Sequence, residues 1–455
     1  MSPRYLLVAV TILLAGCSGI RDSFTSFMGG EDNAEPPSPL VEIDTRVTVT
    51  RLWGNDIGKG TGDTYLKLAP VYAGDRIYVA EHNGGIKAVD TRNGKIIWSR
   101  DADTRITGGP GAGDSLVMVG TGKAEILTFA ADTGESLWRG RVSSEVLSAP
   151  QVSNNIVVVR TIDGKIYGLD AAGGTSLWVY ERTVPTLTLR GTSSPVIAGD
   201  LVISGFDGGR VAAVELYTGK PVWETRIALG SGRSELERMI DIDAEPVVVG
   251  NVIYVITYQG RIAALTLDGG RILWTRDISS HAGLCAGENA VYITDDKSHV
   301  WALDRFTGNS LWKQDKLQAR AVTAPAVLGD LVVVADLEGY LHWLDKDSGE
   351  FVARVQLSKN RIIAPPISVD GVLYAYASDG VLGAYTYEGL QTGIVLESPA
   401  AGNPPAADAV EQVIPQGENT LETDPGNKRG LFSRFWDFIT PGGAGENAEQ
   451  PAPGD

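Results

Sequence analysis

One spacing recurs along this chain and leaves few folds open. A glycine stands four residues before a tryptophan six times: Gly94 and Trp98, Gly134 and Trp138, Gly174 and Trp178, Gly219 and Trp223, Gly270 and Trp274, Gly308 and Trp312. A seventh copy keeps Gly349 but has Ala353 at the tryptophan place. Prolines 70, 110, 150, 195, 246, 325 and 365 open the repeats, with Cys285 standing in for the sixth of eight. The dominant period is 40 residues. The first copy shows the grammar: Pro70, a Gly74-Asp75 turn, the run Ile77 to Ala80, a Gly84-Gly85 turn, Ala88-Val89-Asp90, Gly94 and Trp98.

Short apolar runs between glycine turns read as four antiparallel strands. A unit of that kind cannot bury both its faces alone, and radial stacking buries them. The predicted fold is therefore all-β: an eight-bladed propeller of four-stranded antiparallel blades. A tryptophan brings about 150–250 Å² of surface. On an outer strand it would cover the seam to a neighbouring blade, while its glycine takes a turn with positive φ. A helical solenoid of similar period fails, because the chain holds 55 glycines and no useful 3.6-residue periodicity. The eighth repeat ends near Tyr387 without a Leu-Trp strand, and Leu52-Trp53 is such a strand without a repeat before it. Pairing the two would close the ring with no free edge. The rival is Ile394-Val395-Leu396 as the last strand.

The ends carry separate instructions. Residues 1–16 hold Arg4 and an apolar run from Tyr5 to Leu14, too short for a comfortable permanent span and typical of an export signal. Leu14-Ala15-Gly16-Cys17 resembles the bacterial lipobox, which makes Cys17 the expected lipidation site and new N-terminus. No aspartate follows Cys17, which by resemblance to sorted lipoproteins favours the outer membrane, with the protein facing the periplasm. Residues 17–46 are expected to be a flexible tether, 47–396 the propeller, and 397–455 a disordered tail. That tail holds 8 of the 22 prolines and 10 acidic against 3 basic residues. Within it, residues 428–440 form a short basic and aromatic island that could dock on a partner or a membrane surface. The net charge of −17 argues against nucleic acid as a partner. Cys285 reads as a small buried apolar residue.

Connector length distinguishes the blades. From the tryptophan position to the next repeat opening, most connectors take 11–13 residues. Trp178 to Pro195 takes 17, Trp223 to Pro246 takes 23, and Trp53 to Pro70 takes 17. Equivalent connectors emerge on one face of a ring, so two long neighbours make a raised surface there. The first contains Leu187, Leu189 and Arg190, alternating leucines capped by a cation. The second has a helix-competent middle and ends in Asp241-Ile242-Asp243. Arg190 and Asp241 each lie five residues before a repeat proline, so they hold matching places and could pair.

The Ala-Leu-Asp-x-x-Thr-Gly-x-x-Leu-Trp grammar resembles the repeat of pyrroloquinoline-quinone propellers. The lipobox, the eight repeats and the two connectors together resemble the BamB family, the propeller lipoproteins of the outer-membrane β-barrel assembly machinery. That resemblance covers roughly residues 47–387. It implies a non-enzymatic scaffold that binds the periplasmic domains of the central barrel subunit, BamA, through Leu187, Leu189, Arg190, Asp241 and Asp243, and that assists unfolded outer-membrane proteins. Residues beyond 397 are outside the usual family pattern.

Two other readings compete. Quinone-cofactor dehydrogenases share the repeat, but their vicinal cysteine pair and large funnel insertions are missing here. An envelope structural propeller with another partner is the third. No cofactor, metal site or catalytic group is expected. His82, His281, His299 and His342 fall in different repeats without metal-ligand spacing. Gly58-Lys59-Gly60-Thr61-Gly62 lacks the ending of a phosphate loop. Asp90, Asp170, Asp304 and Asp345 recur once per repeat and read as turn formers.

Overall fold

The computed structural model describes residues 35–62, 64–183, 193–230, 233–234 and 238–389. They form eight four-stranded antiparallel sheets. Blade 1 consists of Val71–Ala73, Arg76–Ala80, Gly85–Asp90 and Ile96–Asp101, in that order from the axis outward. Blades 2 to 7 repeat the plan over residues 106–141, 151–181, 196–226, 247–276, 283–314 and 326–356. The second and third strands are buried on both faces, because a blade has a neighbour on each side. This is why they read as continuous apolar runs. The outermost strand alternates, with the tryptophan turned in and its neighbours out.

Blade 8 is closed as expected. Ile367–Val369, Val372–Tyr376 and Val381–Glu388 are completed by Thr48–Asp56, which pairs antiparallel with Val381–Glu388. The alternative closing strand, at 394–396, lies outside the described residues.

The tryptophan acts on the next blade, not on its own turn. The indole N–H of Trp53, Trp98, Trp138, Trp178, Trp223, Trp274 and Trp312 donates to the carbonyls of Thr91, Ala131, Ala171, Leu216, Leu267, Arg305 and Lys346, at 2.7–2.9 Å. Each indole also lies flat on the glycine of that following blade. A Cβ on Gly134 would stand 2.5 Å from Trp98 Cε3, and Gly134 has φ of +68°. Glycine is required there twice over, for the backbone and for the ring above it. Gly134→Ala is therefore expected to destabilise the ring by roughly 1–2 kcal/mol through the left-handed backbone and by a further 1–3 kcal/mol or so through overpacking. Urea unfolding checks this, and an unchanged midpoint would contradict it.

The seam from blade 7 to blade 8 lacks that indole because Ala353 occupies its place. Pairing between the closing strand and blade 8 runs on through Thr50↔Thr386, Val49↔Tyr387 and Thr48↔Glu388, beyond the point where other blades turn. Val47 and Val49 thus reach Ala353, Trp343, Tyr385 and Tyr387 and fill the gap in one apolar cluster. The Tyr387 hydroxyl accepts from the Asp330 amide at 3.1 Å.

Residues 35–46 require a correction. Expected as part of a flexible tether, they lie docked across blades 6 and 7. Val41 and Ile43 pack against the apolar cluster between those blades. The Arg46 amide donates to Val352 O at 3.0 Å, and its guanidinium meets Glu350 at 2.9 Å. Apolar residues at alternate positions in this stretch were the signal for it.

Candidate functional site

The recurrent aspartates are turn formers. Asp304 Oδ1 accepts from the Phe306 and Thr307 amides, Asp345 Oδ1 from Asp347 and Ser348, and Asp170 Oδ2 from Gly173. Hydrogen bonds from Arg92 hold the Asp90 carboxyl down at about 2. The histidines are engaged locally: His82 with Ile106 O, His281 with Asp296, His299 with Asp295 and His342 with Asp336. Gly60 is threaded past blade 8, where a Cβ would meet Ser378 O at 2.4 Å. Cys285 is half-buried, and burial pushes its thiol up to about 12.

The connectors leave each outer strand on the face where the second and third strands of the blades turn. Hydrogen bonds between the two fix this, as in Ala102 N to Gly84 O and Tyr258 N to Asp241 O. Leu187, Leu189 and Arg190 lie outside the described residues. Of the second long connector, residues 227–230, 233–234 and 238–246 are described, without helix. It is pinned at both limbs: a Cβ on Gly230 would meet Arg238 O at 2.2 Å. Ile242 is buried in the cluster between blades 4 and 5.

Asp241 is not the surface group expected of a direct partner contact. It is 1% exposed. Its Oδ1 accepts from the Gly208 amide at 3.4 Å, which ties the connector to the turn of blade 4. Asp243 is half-buried beside the axial shaft. Within electrostatic reach of both is Arg160, which sequence reasoning missed. It is 1% exposed, donates to Ser193 Oγ at 3.2 Å, lies 3.9 Å from Asp207 and stacks 5.0 Å from the Phe206 ring. An arginine ending the run Ile156-Val157-Val158-Val159 was the available signal, since buried arginines are held by carboxylates.

Acids dominate this cluster. Asp207, Asp241 and Asp243 all act on Arg160, and Oδ1 of Asp207 and of Asp243 are buried without a hydrogen bond. Burial lifts the Asp207 carboxyl to about 6 and Asp243 to about 7. Glu245 opens onto the same shaft, where desolvation by the enclosing walls raises it to about 7 against the pull of Lys67. Desolvation within the shaft lowers the Lys67 amine, which lines it and donates to Ala282 O at 3.0 Å. The shaft is a cavity of about 530 Å³ rimmed by repeat prolines such as Pro70, Pro246 and Pro325.

These raised carboxyls fix the sign of a pH effect. The unfolded chain releases such protons near pH 4, whereas the folded ring keeps them to about 6–7. Across that window the folded state binds more protons, so stability falls as pH rises. Urea midpoints at about pH 5 and about pH 8 are expected to differ less in Asp243→Asn than in the native chain. Equal differences would contradict the assignment.

Beside the shaft, the third long connector walls a groove of about 970 Å³ over blades 1 and 2, lined by Tyr65, Leu66, His82, Arg105 and Lys123. Tyr65 is 84% exposed, with the Arg361 guanidinium 4.1 Å above its ring.

The described residues thus form a closed eight-bladed propeller, with a buried charge cluster on the face where the long connectors emerge. A family model described as outer membrane protein assembly factor BamB matches residues 82–314 and 307–416. Outer membrane protein assembly factor BamB of Pseudomonas aeruginosa is 44% identical over 372 residues, 82% of this chain and 95% of that protein. Its Escherichia coli counterpart is 36% identical over 383 residues, 82% and 95% of the two chains. The chain belongs to the BamB family. Among solved structures, BamB from Moraxella catarrhalis superposes with a TM-score of 0.68 at 29% identity, over 74% of this chain and all of that one. Quinohemoprotein alcohol dehydrogenase from Comamonas testosteroni reaches a TM-score of 0.59 at 13% identity, over 74% and 76% of the two chains, which is a likeness of fold alone.

Proposed function

We propose that this protein is a non-enzymatic scaffold of the outer-membrane protein assembly complex. Its relatives are named as outer membrane protein assembly factors. The ring is rigid and self-closed, and its work is done by the face bearing the long connectors. The observation that carries this is the acid-rich cluster beneath them, where Arg160 faces three aspartates and buried carboxylate oxygens lack hydrogen bonds. Such a cluster favours a further cation, and Arg190 is the candidate within the chain. Leu187 and Leu189 would then form the apolar contact, with Asp241 placing the connector and Asp243 meeting the cation. The partner is a periplasmic domain of the complex's central barrel subunit, BamA. Cys17 carries the lipid that holds the protein on the outer membrane, facing the periplasm. Bound there, the scaffold orients the partner to receive unfolded barrel proteins.

Affinity purification from detergent-solubilised envelopes tests this. The native chain is expected to recover the central subunit, and Arg190→Glu is expected to lose most of it. Paired substitution of Leu187 and Leu189 by serine should do the same with the ring still folded. Undiminished recovery with both variants would reject the assigned surface.

A further inference from the structure

The segment before the ring does more than reach toward an anchor. On every described outer strand but one, the aliphatic residue before the tryptophan position is open to solvent: Leu52, Ile97, Leu137, Leu177, Val222, Leu273 and Leu311 are 44–55% exposed. Val352, the equivalent in blade 7, is 0% exposed because residues 41–46 lie over it. Two arginines grip this segment by its backbone. Arg320 Nη1 donates to Ser38 O and Arg354 Nη1 to Val41 O, each at 3.0 Å. The Ser38 amide donates to Gln318 O at 3.0 Å, and the Gln318 side chain reaches Glu35.

The arginines are themselves fixed from below. Arg320 Nε donates to Asp336 Oδ2 at 2.8 Å, and its guanidinium also meets Glu338. His342 Nε2 lies 2.9 Å from the same Asp336 oxygen, and Arg354 Nε donates to His342 Nδ1 at 3.2 Å. Asp336 and His342 are both fully buried. An arginine donating to Nδ1 leaves the imidazole proton on Nε2, facing the carboxylate. Each donor that points at the segment is thus placed by a buried polar pair, which is costly to build unless it positions something.

We infer that residues 35–47 are a latched strap, which makes the N-terminal arm leave the propeller at one fixed point between blades 6 and 7. This shortens the arm. From Cys17 to Glu35 the chain spans at most roughly 60 Å, against about 100 Å if every residue to Arg46 were free. It also fixes the one sector of the ring on which the tether pulls. Resting on the reading that Cys17 carries lipid, blades 6 and 7 become the sector held nearest the bilayer. Blades 3 and 4 lie round the ring from that sector, and on the proposed function their far side is the one open to a periplasmic partner.

Paired spin labels test the strap. Full-length mature chain with Cys17→Ser and Cys285→Ala would carry Pro36→Cys with either Asn154→Cys in blade 3 or Tyr217→Cys in blade 4. Both distance distributions are expected to be narrow. Combining Arg320→Ala with Arg354→Ala should broaden both. Val41→Ser with Ile43→Ser, which alters the strap and leaves the latch residues untouched, should broaden them too. Broad distributions in the native strap, or no change with either pair, would overturn the proposal. In a second arm, lipidated chain on nanodiscs is labelled at Asp347 in blade 7 or at Asn154. A gadolinium-bearing headgroup is expected to relax the blade 7 label faster. Equal relaxation on the disc would overturn the orientation. A chain that does not bind the disc at all would refute lipidation and leave the distance result standing.

Discussion

Trp178→Ala is expected to destabilise the ring by about 3–5 kcal/mol, the cost of removing a buried aromatic side chain without filling its place. Trp178 is buried, donates to Leu216 O at 2.8 Å and covers Gly219, so its loss opens the whole seam between blades 3 and 4. Trp178→Phe keeps much of the apolar area and forfeits the hydrogen bond, so roughly 1 kcal/mol of its cost comes from the lost bond. Chemical unfolding followed by circular dichroism separates the two. Because each blade touches only its neighbours, the opening should be local first. Hydrogen exchange should therefore rise in blades 3 and 4 before it rises in blade 7. An alanine variant within about 1 kcal/mol of the native chain would show that the indole is not what joins the blades.

The second large effect concerns closure. Removing residues 1–34 should leave the ring's stability almost unchanged, whereas removing residues 1–56 should convert it to an associating species. The longer truncation takes the strand that pairs with Val381–Glu388, the Trp53 indole that caps blade 1, and Val47, which fills the seam at Ala353. It also exposes an unpaired strand edge, which recruits other chains. Sedimentation should find a monomer for the first truncation and concentration-dependent oligomers for the second. A monomeric, cooperatively unfolding product from the longer truncation would contradict closure by the N-terminal strand.

Much of this was legible before any coordinates. Glycine-to-tryptophan spacing gave the blade, and the count of copies, with Leu52-Trp53 left over at the start, gave the closure. That the indole covers a seam was expected; what was not legible is that it serves the following blade and lies on that blade's glycine. The glycine was read only as a positive-φ turn, because nothing in the spacing shows that an indole from the preceding repeat rests on it. Arg160 escaped because nothing in a run of valines shows that three aspartates, from a neighbouring turn and a distant connector, converge on its end. Asp241 was read as presented because loop acids usually are; its burial follows from Ile240 and Ile242, which draw the connector down between blades. The strap was hidden in a stretch whose prolines and acids suggest a free tether. Only Val41, Ile43 and Val47, at alternating or near-alternating places, betray a docked face.

The central claim is that the connectors after blades 3 and 4 are where this scaffold meets its complex. Photo-crosslinking in intact envelopes tests it most directly, with a crosslinking residue placed in turn at Thr183, Arg190, Arg233 and Arg238, and at the rim positions Leu137 and Leu311. The four connector positions are expected to give one common product containing the central barrel subunit, and the rim positions none. Products with that subunit from Leu137 or Leu311, and none from the connectors, would contradict it.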